Sequence, residues 1–513
     1  MQSKLLTSSL FIILFYILSF VKVVFAQTPI YEYAFGSNGK AEFAYDIIET
    51  PDGGFLMTGI TMNNPNPTNS LDGKIKKVDA NGNLLWENVY TGIQSTNDFL
   101  GSIIPKGNHY VVAGNTYGFS PLPPWYLKKQ FWLIEISGSG TLIQQKKYGG
   151  IDDESAEKII ATPDSGFLII GSTRSYDTLT ASDVWLLKTN NNLDSLWSVR
   201  YDLGGEDAGV DIMPFNDKYI ILANSCVENC NTPVGGLGFY KSNAYYLLVD
   251  SLGNMDTVYN ISPGLKNHFK SITPTSDGGA VIAGSSDAVA QNYAPDLWVL
   301  KLNANLNTMW TRTYGDSGTY DGCRGIFQQA DGNYIAGGYS QSFVIPGVRD
   351  FDCPWVIKLD QNGDSIWSFV SGTEDNDGIM QIIPASDGSI IATGYYGLDS
   401  KPESLFDLDL GPGKFYLLKL TDTLLTNINN EIAKDNFIKI YPNPFSISTT
   451  IEFDPIVKNA DVYIFSSIGQ LMQKHNNFSG SHYTLYRKGL KPGMYYLKIV
   501  AQDKIFIERI LIN

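Results

Sequence analysis

The sequence predicts an all-β protein, a seven-bladed β-propeller followed by a small β-sandwich. Three observations lead to this prediction. The chain of 513 residues has 49 Gly and 30 Tyr but only 17 % charged residues, a composition typical of short strands and tight turns. One pattern recurs seven times between residues 37 and 431. From residue 436 the pattern stops and strands alternate with Gly/Pro turns, as in a small sandwich.

Each repeat has two blocks. The first is a polar, often Asp-Gly, turn before a hydrophobic run ending in Gly, and it begins at Asp52, Asp164, Asp277, Asp331 and Asp387, with weaker copies ending at Gly114 and Asn224. The second is an Asx-rich turn before a Trp, clearest from Asp79 to Trp86. These turns predict four strands per copy, A to D in chain order. Seven four-stranded units cannot bury their faces singly, so they predict a radial propeller.

The ends of the repeat region predict how the ring closes. The seventh copy runs out after its third strand, Phe415 to Leu420. The missing D strand is found at the other end, where Ile30 to Gly36 aligns with Trp310 to Gly315. We therefore expect the N-terminal strand to complete blade seven and to cover edges that would otherwise be open.

The first 26 residues predict an export signal. Lys4 supplies the positive start, and Leu10 to Phe20 form the apolar stretch. Val24-Phe25-Ala26 places small residues at positions −3 and −1 of a cleavage site, so the mature chain would begin at Gln27. An uncleaved membrane anchor is the alternative, although Lys22 interrupts the apolar stretch. The predicted domains are then the propeller over 27–426, a polar linker over 427–435 and the sandwich over 436–513.

Charge and cysteines limit the function classes. Residues 27–431 hold 25 Lys and Arg against 46 Asp and Glu, which argues against nucleic acid and anionic membrane surfaces as partners. Four cysteines in an exported chain are disulfide candidates with three pairings. The simplest is local, Cys226 with Cys230 and Cys323 with Cys353.

The last segment carries a set of spaced landmarks. They are Tyr441, Pro442, Asn443, Pro444, Phe445, Gly469, Gly489, Gly493 and Tyr495. In this order they resemble the type A C-terminal sorting domain of the type IX secretion system of Bacteroidota. The resemblance implies passage across the outer membrane with the type IX machinery as partner. It also implies an extracellular location, with release or attachment to the cell surface.

A candidate site lies ten residues before each turn, where strand A should begin near the propeller axis. Those positions are all acids or amides, namely Glu42, Asn97, Glu154, Asp207, Asn267, Asp321 and Asp377. One interpretation is a ring of oxygen ligands for a hard cation such as calcium. The other, which we favour, is that each side chain accepts backbone N–H groups where blades meet.

Two further recurrent features allow weaker predictions. A lysine precedes the C–D turn in five blades, at Lys77, Lys188, Lys301, Lys358 and Lys419, and we interpret it as a solvated or snorkelling residue. The B–C loops are long and should gather on one face. Their aromatic residues, at 121–126 and 239–240, favour either a glycan- or protein-binding surface or packing within the loops.

No catalytic arrangement emerges from the sequence. The repeats hold only His109 and His268, in different blades, so His-based metal sites and Ser-His-Asp triads lack members. We predict a monomeric, secreted or surface-attached binding or adhesion module for a glycan or surface protein, without a cofactor except calcium. An extracellular carbohydrate-active hydrolase or lyase with a site in the channel, and a passive surface-layer component, stay open as alternatives.

Overall fold

The computed structural model describes residues 29–36, 41–62, 70–92, 97–117, 128–175, 181–228, 230, 241–288, 294–316, 318–342, 351–373, 375–398, 413–422, 438–466, 471–491, 493–501 and 504–512. These residues divide into two compact units, which meet in sequence between 422 and 438. The predicted signal segment over 1–26 and the linker over 427–435 lie outside the described residues. The described part has no helix with the length and apolar character needed to cross a membrane.

The first unit consists of 28 strands in seven four-stranded antiparallel sheets. The strands are β1 (Pro29–Phe35), β2 (Glu42–Glu49), β3 (Phe55–Met62), β4 (Leu71–Val78), β5 (Leu84–Tyr90), β6 (Asp98–Lys106), β7 (His109–Thr116), β8 (Gln130–Ser137), β9 (Leu142–Tyr148), β10 (Glu154–Ala161), β11 (Phe167–Thr173), β12 (Asp183–Thr189), β13 (Ser195–Tyr201), β14 (Glu206–Phe215), β15 (Lys218–Glu228), β16 (Lys241–Val249), β17 (Met255–Asn260), β18 (Asn267–Pro274), β19 (Ala280–Ser286), β20 (Asp296–Leu302), β21 (Thr308–Tyr314), β22 (Asp321–Gln328), β23 (Tyr334–Ser340), β24 (Cys353–Leu359), β25 (Ser365–Val370), β26 (Asn376–Pro384), β27 (Ile390–Leu398) and β28 (Lys414–Leu420).

Each sheet is one blade of the predicted propeller, and six blades use four consecutive strands, from β2–β5 to β22–β25. Blade seven has the order β1-β28-β27-β26, with Phe35 opposite Phe415 and Tyr33 opposite Leu417. The predicted closure by the N-terminal strand is therefore confirmed. It joins the two ends of the repeat region and leaves β28 paired on both sides.

The aromatic residues of the repeat join neighbouring blades. In blade one, Tyr90 donates its hydroxyl to the carbonyl of Gly140 in the C–D turn of blade two, at 2.6 Å. Tyr201 makes the same bond to Gly253 at 2.8 Å, and Tyr314 repeats it to Gly363. In these blades the aromatic residue of the second block therefore fixes one blade against the next.

The recurrent lysines are buried and paired. Each lies on strand C and reaches the Asp of the A–B turn in its own blade, for example Lys301 to Asp277 at 2.8 Å. The other pairs are Lys77–Asp52, Lys188–Asp164, Lys358–Asp331 and Lys419–Asp387, at 2.7 to 3.0 Å. Their interpretation as solvated or snorkelling residues is wrong, because adjacent strands place the lysine beside the turn and so provide it with a carboxylate.

The predicted cysteine pairing is half right. Cys226 and Cys230 form a disulfide, with their Cα atoms 5.7 Å apart. Cys323 and Cys353 are free thiols. They belong to β22 and β24, and β23 lies between these strands. Two inter-strand spacings of about 4.8 Å separate the strands, more than the ~7 Å that a disulfide can bridge.

The second unit is a five-stranded sheet that curls around one core. Its strands are β29 (Ile438–Tyr441), β30 (Ser448–Ser466), β31 (Leu471–Tyr486), β32 (Gly493–Ala501) and β33 (Lys504–Ile512). The long β30 pairs with β31 along its length, with β29 near its start and with β32 near its end. Phe445, Phe453 and Ile510 are among the buried residues that form the core.

Candidate functional site

The predicted acid and amide positions lie where one blade meets the next. The junction residues are the first or second residue of each A strand and are at most 1 % exposed, namely Glu42, Asp98, Glu154, Asp207, Asn267, Asp321 and Asp377. In blade two the position belongs to Asp98, not to the predicted Asn97. Its A–B turn is shorter, since Lys106 directly faces His109, so counting back from the turn goes one residue too far. Asn97 still serves the junction, because its Oδ1 accepts the N–H of Leu71 at 3.0 Å.

The junction residues make recurrent hydrogen bonds. Their backbone N–H groups donate to the residue that precedes or begins strand C of the preceding blade, as in the bonds Glu42–Gly413, Glu154–Lys129, Asp207–Ser182, Asp321–Pro295 and Asp377–Asp352. Their side chains accept hydrogen bonds from hydroxyl groups on strand B. For example, the Thr173 hydroxyl donates to the Glu154 carboxylate at 2.9 Å. This is the geometry expected of blade-to-blade tethers.

Burial has an electrostatic consequence at these junctions. It raises the pKa of Asp98 and that of Asp207 to about 6, because a buried carboxylate loses hydration. The seven residues occupy separate junctions, each with its own donors. In the described part, the set of three carboxylates close enough to share a metal ion is Asp183, Asp202 and Asp207. A shared calcium ring stays a prediction.

The seven A strands surround one cavity of about 140 Å³. In each A strand a β-bulge interrupts the pairing with strand B. The bulged residues, all of which line the cavity, are Tyr45, Gly101 with Ser102, Glu157, Val210, Lys270, Arg324 and Met380. A bulge changes the direction in which a side chain points. Because every A strand has a bulge at the same place, these side chains all point toward the axis.

Three of the residues that follow the bulges, Asp46, Lys158 and Asp211, are charged, and they have partners within the fold. The Asp46 carboxylate accepts the N–H groups of Ile47 at 2.9 Å and of Ile103, in the next blade, at 3.0 Å. Asp211 repeats both bonds in blades four and five. Lys158 lies 3.7 Å from the carboxylate of Asp46. These groups therefore have structural partners already.

Two bulged cations differ from them. Lys270 and Arg324 face the cavity from adjacent blades and are half-buried. Within the described ranges, neither one forms an ion pair with a carboxylate. The guanidinium of Arg324 lies 5.5 Å from the ring centre of Tyr339, which is a cation–π contact.

The titratable groups of the cavity have pKa values shifted away from their ordinary ones. Burial, together with the charge of Arg324, lowers the pKa of Lys270 to about 8. Burial raises the pKa of Glu157, although Lys270 opposes this effect. Outside the cavity lining, His268 forms a hydrogen bond with Ser242, and burial lowers its pKa to about 4, so it is neutral at pH 7. Such displaced groups in a cavity mark a candidate functional site.

The sequence analysis allowed for a site in the channel but missed the bulged residues that line it, although a signal for them existed. Each bulged residue lies three positions after a junction residue, as Lys270 follows Asn267 and Arg324 follows Asp321. The predicted junction positions would have located them in six blades. The B–C loop aromatics at 121–126 and 239–240 lie outside the described residues.

The landmarks of the second unit link its first residues to its last strand. The peptide bonds before Pro442 and Pro444 are cis. Asn443 Oδ1 accepts the N–H of Leu511 at 2.7 Å, and the N–H of Phe445 donates to the carbonyl of Leu511 at 2.9 Å. Phe445 is thereby held in the core.

The other landmarks of this unit lie at its second half. Gly489 adopts a φ of 85°, which favours glycine, and Tyr495 is buried, with its hydroxyl donating to the Lys491 carbonyl at 2.9 Å. Gly493 begins β32, whereas Gly469 lies outside the described residues.

Residues 439–513 match the family model of the secretion system C-terminal sorting domain. The predicted resemblance is thus confirmed, and the sorting domain directs the chain out of the cell, to the surface or the medium, through the type IX machinery. No curated protein matches the chain.

Solved propeller-like structures resemble the chain only distantly. A luciferin-regenerating enzyme is 10 % identical with a TM-score of 0.35, over 63 % of this chain and 91 % of that one. A GH32 β-fructofuranosidase of Bombyx mori is 10 % identical with a TM-score of 0.30, over 92 % of this chain and 87 % of that one. The extracellular domain assigned to a hybrid two-component system of B. thetaiotaomicron is 10 % identical with a TM-score of 0.32, over 92 % of this chain and 73 % of that one. Function has to be argued from the residues of this chain.

Proposed function

We propose that this exported propeller is a binding module that captures a compact anionic ligand, such as an acidic sugar, in its axial cavity. The supporting observation is a pair of cations, Lys270 and Arg324, that form no ion pair with the described residues and lie on neighbouring bulges of a cavity of about 140 Å³. A buried charge without a partner costs stability. Asp46 and Asp211, which line the same cavity, already accept backbone N–H groups, so a ligand carboxylate would supply the two cations with charge-assisted hydrogen bonds.

The ligand class follows from the rest of the lining. Tyr45 and Met380 give apolar surface, whereas Ser102, Ser271 and Gln381 offer hydroxyl and amide groups. A sugar acid matches this combination, because its ring has apolar faces and hydroxyl groups and its carboxylate matches the guanidinium of Arg324. An acidic glycan end would suit the binding or adhesion role predicted for an exported protein.

The proposal is tested by thermal unfolding of the full chain with added glucuronate, galacturonate or phosphate, and with neutral glucose or galactose as controls. We expect the sugar acids to raise the melting temperature and the neutral sugars to leave it unchanged. Arg324→Met should lose the effect, whereas Lys146→Met, which alters an exposed pair with Asp194, should keep it. Equal effects of acidic and neutral sugars would contradict the proposal.

A second candidate function is the carbohydrate-active hydrolase or lyase. The observation in its favour is that Glu157, with a raised pKa, shares the cavity with Lys270, whose pKa is lowered to about 8. A carboxyl with a raised pKa beside an amine with a lowered pKa is the arrangement that general acid–base catalysis uses. Release of sugar products from acidic polysaccharides by the wild-type chain, lost in Glu157→Gln while sugar acids still bind, would select the enzyme over the binding module.

A further inference from the structure

The axial cavity is lined by two lysines that differ in their surroundings. Lys270 is the bulged residue of β18, whereas Lys158 follows the bulge of β10. The ammonium group of Lys158 lies 3.7 Å from the Asp46 carboxylate. Lys270 forms neither an ion pair nor a hydrogen bond with any residue that the structure describes. Its amine therefore faces the cavity without a direct contact that would hold its charge.

These surroundings decide which lysine supplies a neutral amine near pH 7. Burial and then the charge of Arg324 lower the pKa of Lys270 to about 8, so roughly a tenth of this amine is neutral at pH 7. Burial acts on Lys158 in the same direction, but the carboxylates of Asp46 and Asp211 outweigh it and raise the pKa of this lysine. A lysine becomes a nucleophile when it is desolvated or lies beside a second cation. Lys270 meets both conditions, whereas Lys158 stays an ammonium group.

The groups that share the cavity with Lys270 suit one class of electrophile. Arg324, on the bulge of the adjacent blade, has a planar guanidinium that can bind a carboxylate through two N–H groups. Glu157 faces the cavity from blade three, and burial raises its pKa although Lys270 opposes this effect. A carboxyl group of this kind can give a proton to a reacting oxygen. The three groups together match a small α-keto acid, in which a carboxylate is bonded directly to a ketone or aldehyde carbon.

We propose that Lys270 forms an imine with an α-keto acid whose carboxylate is bound by Arg324. The amine nitrogen attacks the carbonyl carbon, and the π electrons of the C=O bond move to the oxygen atom. Glu157 passes the two amine protons from nitrogen to this oxygen, which leaves as water, and a C=N bond replaces the C=O bond. One amine and one carbonyl group thus give one imine and one water, and no oxidant or reductant is consumed.

This covalent step goes beyond the noncovalent capture of a sugar acid, although it rests on the same cavity. The volume of about 140 Å³ suits a compact acid. The step requires a ketone or aldehyde carbon, which a sugar acid in its closed ring form does not have. The two proposals can therefore be tested with different ligands.

The test treats the full chain with pyruvate and then with sodium borohydride, which reduces an imine to a stable secondary amine. Peptide mass mapping should find the adduct on Lys270 at least ~10-fold above any other lysine, because a neutral amine is the reactive form. Acetone, a ketone without a carboxylate, should give at least ~10-fold less adduct, because Arg324 has no carboxylate to bind. Lys270→Arg keeps the positive charge and should lose the adduct. Lys146→Arg, in an exposed pair with Asp194, is the matched control and should be labelled like the wild type.

A second lysine makes the peptide map decisive. Burial lowers the pKa of Lys129 to about 8 as well, but in the described part this residue lies outside the lining of the cavity. Labelling of Lys129 in place of Lys270, labelling spread over the surface lysines, or no labelling of the folded wild type would each overturn the proposal. The wild-type map gives this answer even if Lys270→Arg does not fold.

A parallel titration with methyl glucuronide separates this proposal from the proposed function, because this sugar acid has a closed ring without a ketone or aldehyde. Binding of the glucuronide without a pyruvate adduct would contradict the imine and keep the binding module. An adduct on Lys270 without glucuronide binding would support the imine and contradict the capture of sugar acids.

Discussion

The A–B turns and the bulges of the A strands occupy equivalent places in every blade, yet their chemistry differs. Five turns carry the same Asp paired with the same buried Lys of strand C, and blade two reverses the pair as Lys106 with Glu135, at 2.7 Å. The bulges, by contrast, present different side chains, from Val210 to Arg324, to the axial cavity.

This difference separates architecture from function within one chain. A fold that repeats its blades reuses the same stabilising interaction, and the turn pairs provide it in five blades and, reversed, in a sixth. The bulge only has to point a side chain toward the axis, so its residue is free to differ between blades. Unlike residues such as Glu157 and Lys270 at a repeated position are therefore the better indication of a ligand site.

The largest expected effect comes from breaking a turn pair. Lys301 is buried and donates to Thr275, Asp277 and the Leu302 carbonyl. Lys301→Ala should lower the free energy of unfolding by about 2–4 kcal/mol, because it removes these bonds and leaves a cavity. Denaturant unfolding measures this loss. Lys146→Ala, in an exposed pair, is the control and should not change stability, and both variants should keep the ligand response.

A smaller effect is expected at a junction, and it depends on pH. The pKa of Asp98 is raised to about 6 in the fold, so the acid stabilises the fold below its unfolded pKa of about 4, and this contribution is lost as the pH rises through 6. Asp98→Asn mimics the neutral acid, as Asn267 does naturally in blade five. It should match wild type near pH 4 and exceed its unfolding free energy by about 1–3 kcal/mol at pH 7.

Urea unfolding of both proteins between pH 4 and pH 8 would measure that difference. A constant difference across this range would show that burial does not hold the proton on Asp98. A loss of stability at every pH would show that the hydrogen bond from Gly92, at 2.7 Å, requires a carboxylate.

The smallest expected effect separates two neighbours, Cys323 and Arg324. Cys323 packs between blades, and burial raises its pKa to about 12, whereas Arg324 faces the cavity. The Cys323 and Cys353 thiols should react with a thiol reagent at pH 8 only after unfolding, because little thiolate is present. Cys323→Ser should cost about 1 kcal/mol of stability and leave ligand binding unchanged. Fast reaction of the native chain would contradict this packing.

Much of the architecture could be predicted from the sequence. Turn dipeptides and Trp positions are local signals, so the seven blades and the closing strand β1 follow from them. The Lys–Asp pairs do not, because Asp52 lies in the A–B turn and Lys77 on strand C, and their proximity appears only when strands B and C pair. The Cys323–Cys353 prediction failed for a related reason, since sequence distance does not show that β23 intervenes.

The site was harder to predict than the fold. A bulge adds one residue to a strand without changing its composition in a recognisable way. That Arg324 is the extra residue is therefore visible only in the pairing register between β22 and β23. The sequence did indicate the junction positions, and the structure places the cavity residues three positions later. Charge balance, which distinguishes Lys270 from Lys158, depends on three-dimensional neighbours throughout.

The most direct test is a calorimetric titration of the full chain with glucuronate, for wild type and Arg324→Met at low and high salt. We predict one site per chain, weaker at high salt, with at least a ~10-fold loss of affinity in Arg324→Met and little change in its melting temperature without ligand. Equal affinity in the two proteins would contradict the claim that the unlike residues of the bulges form the ligand site.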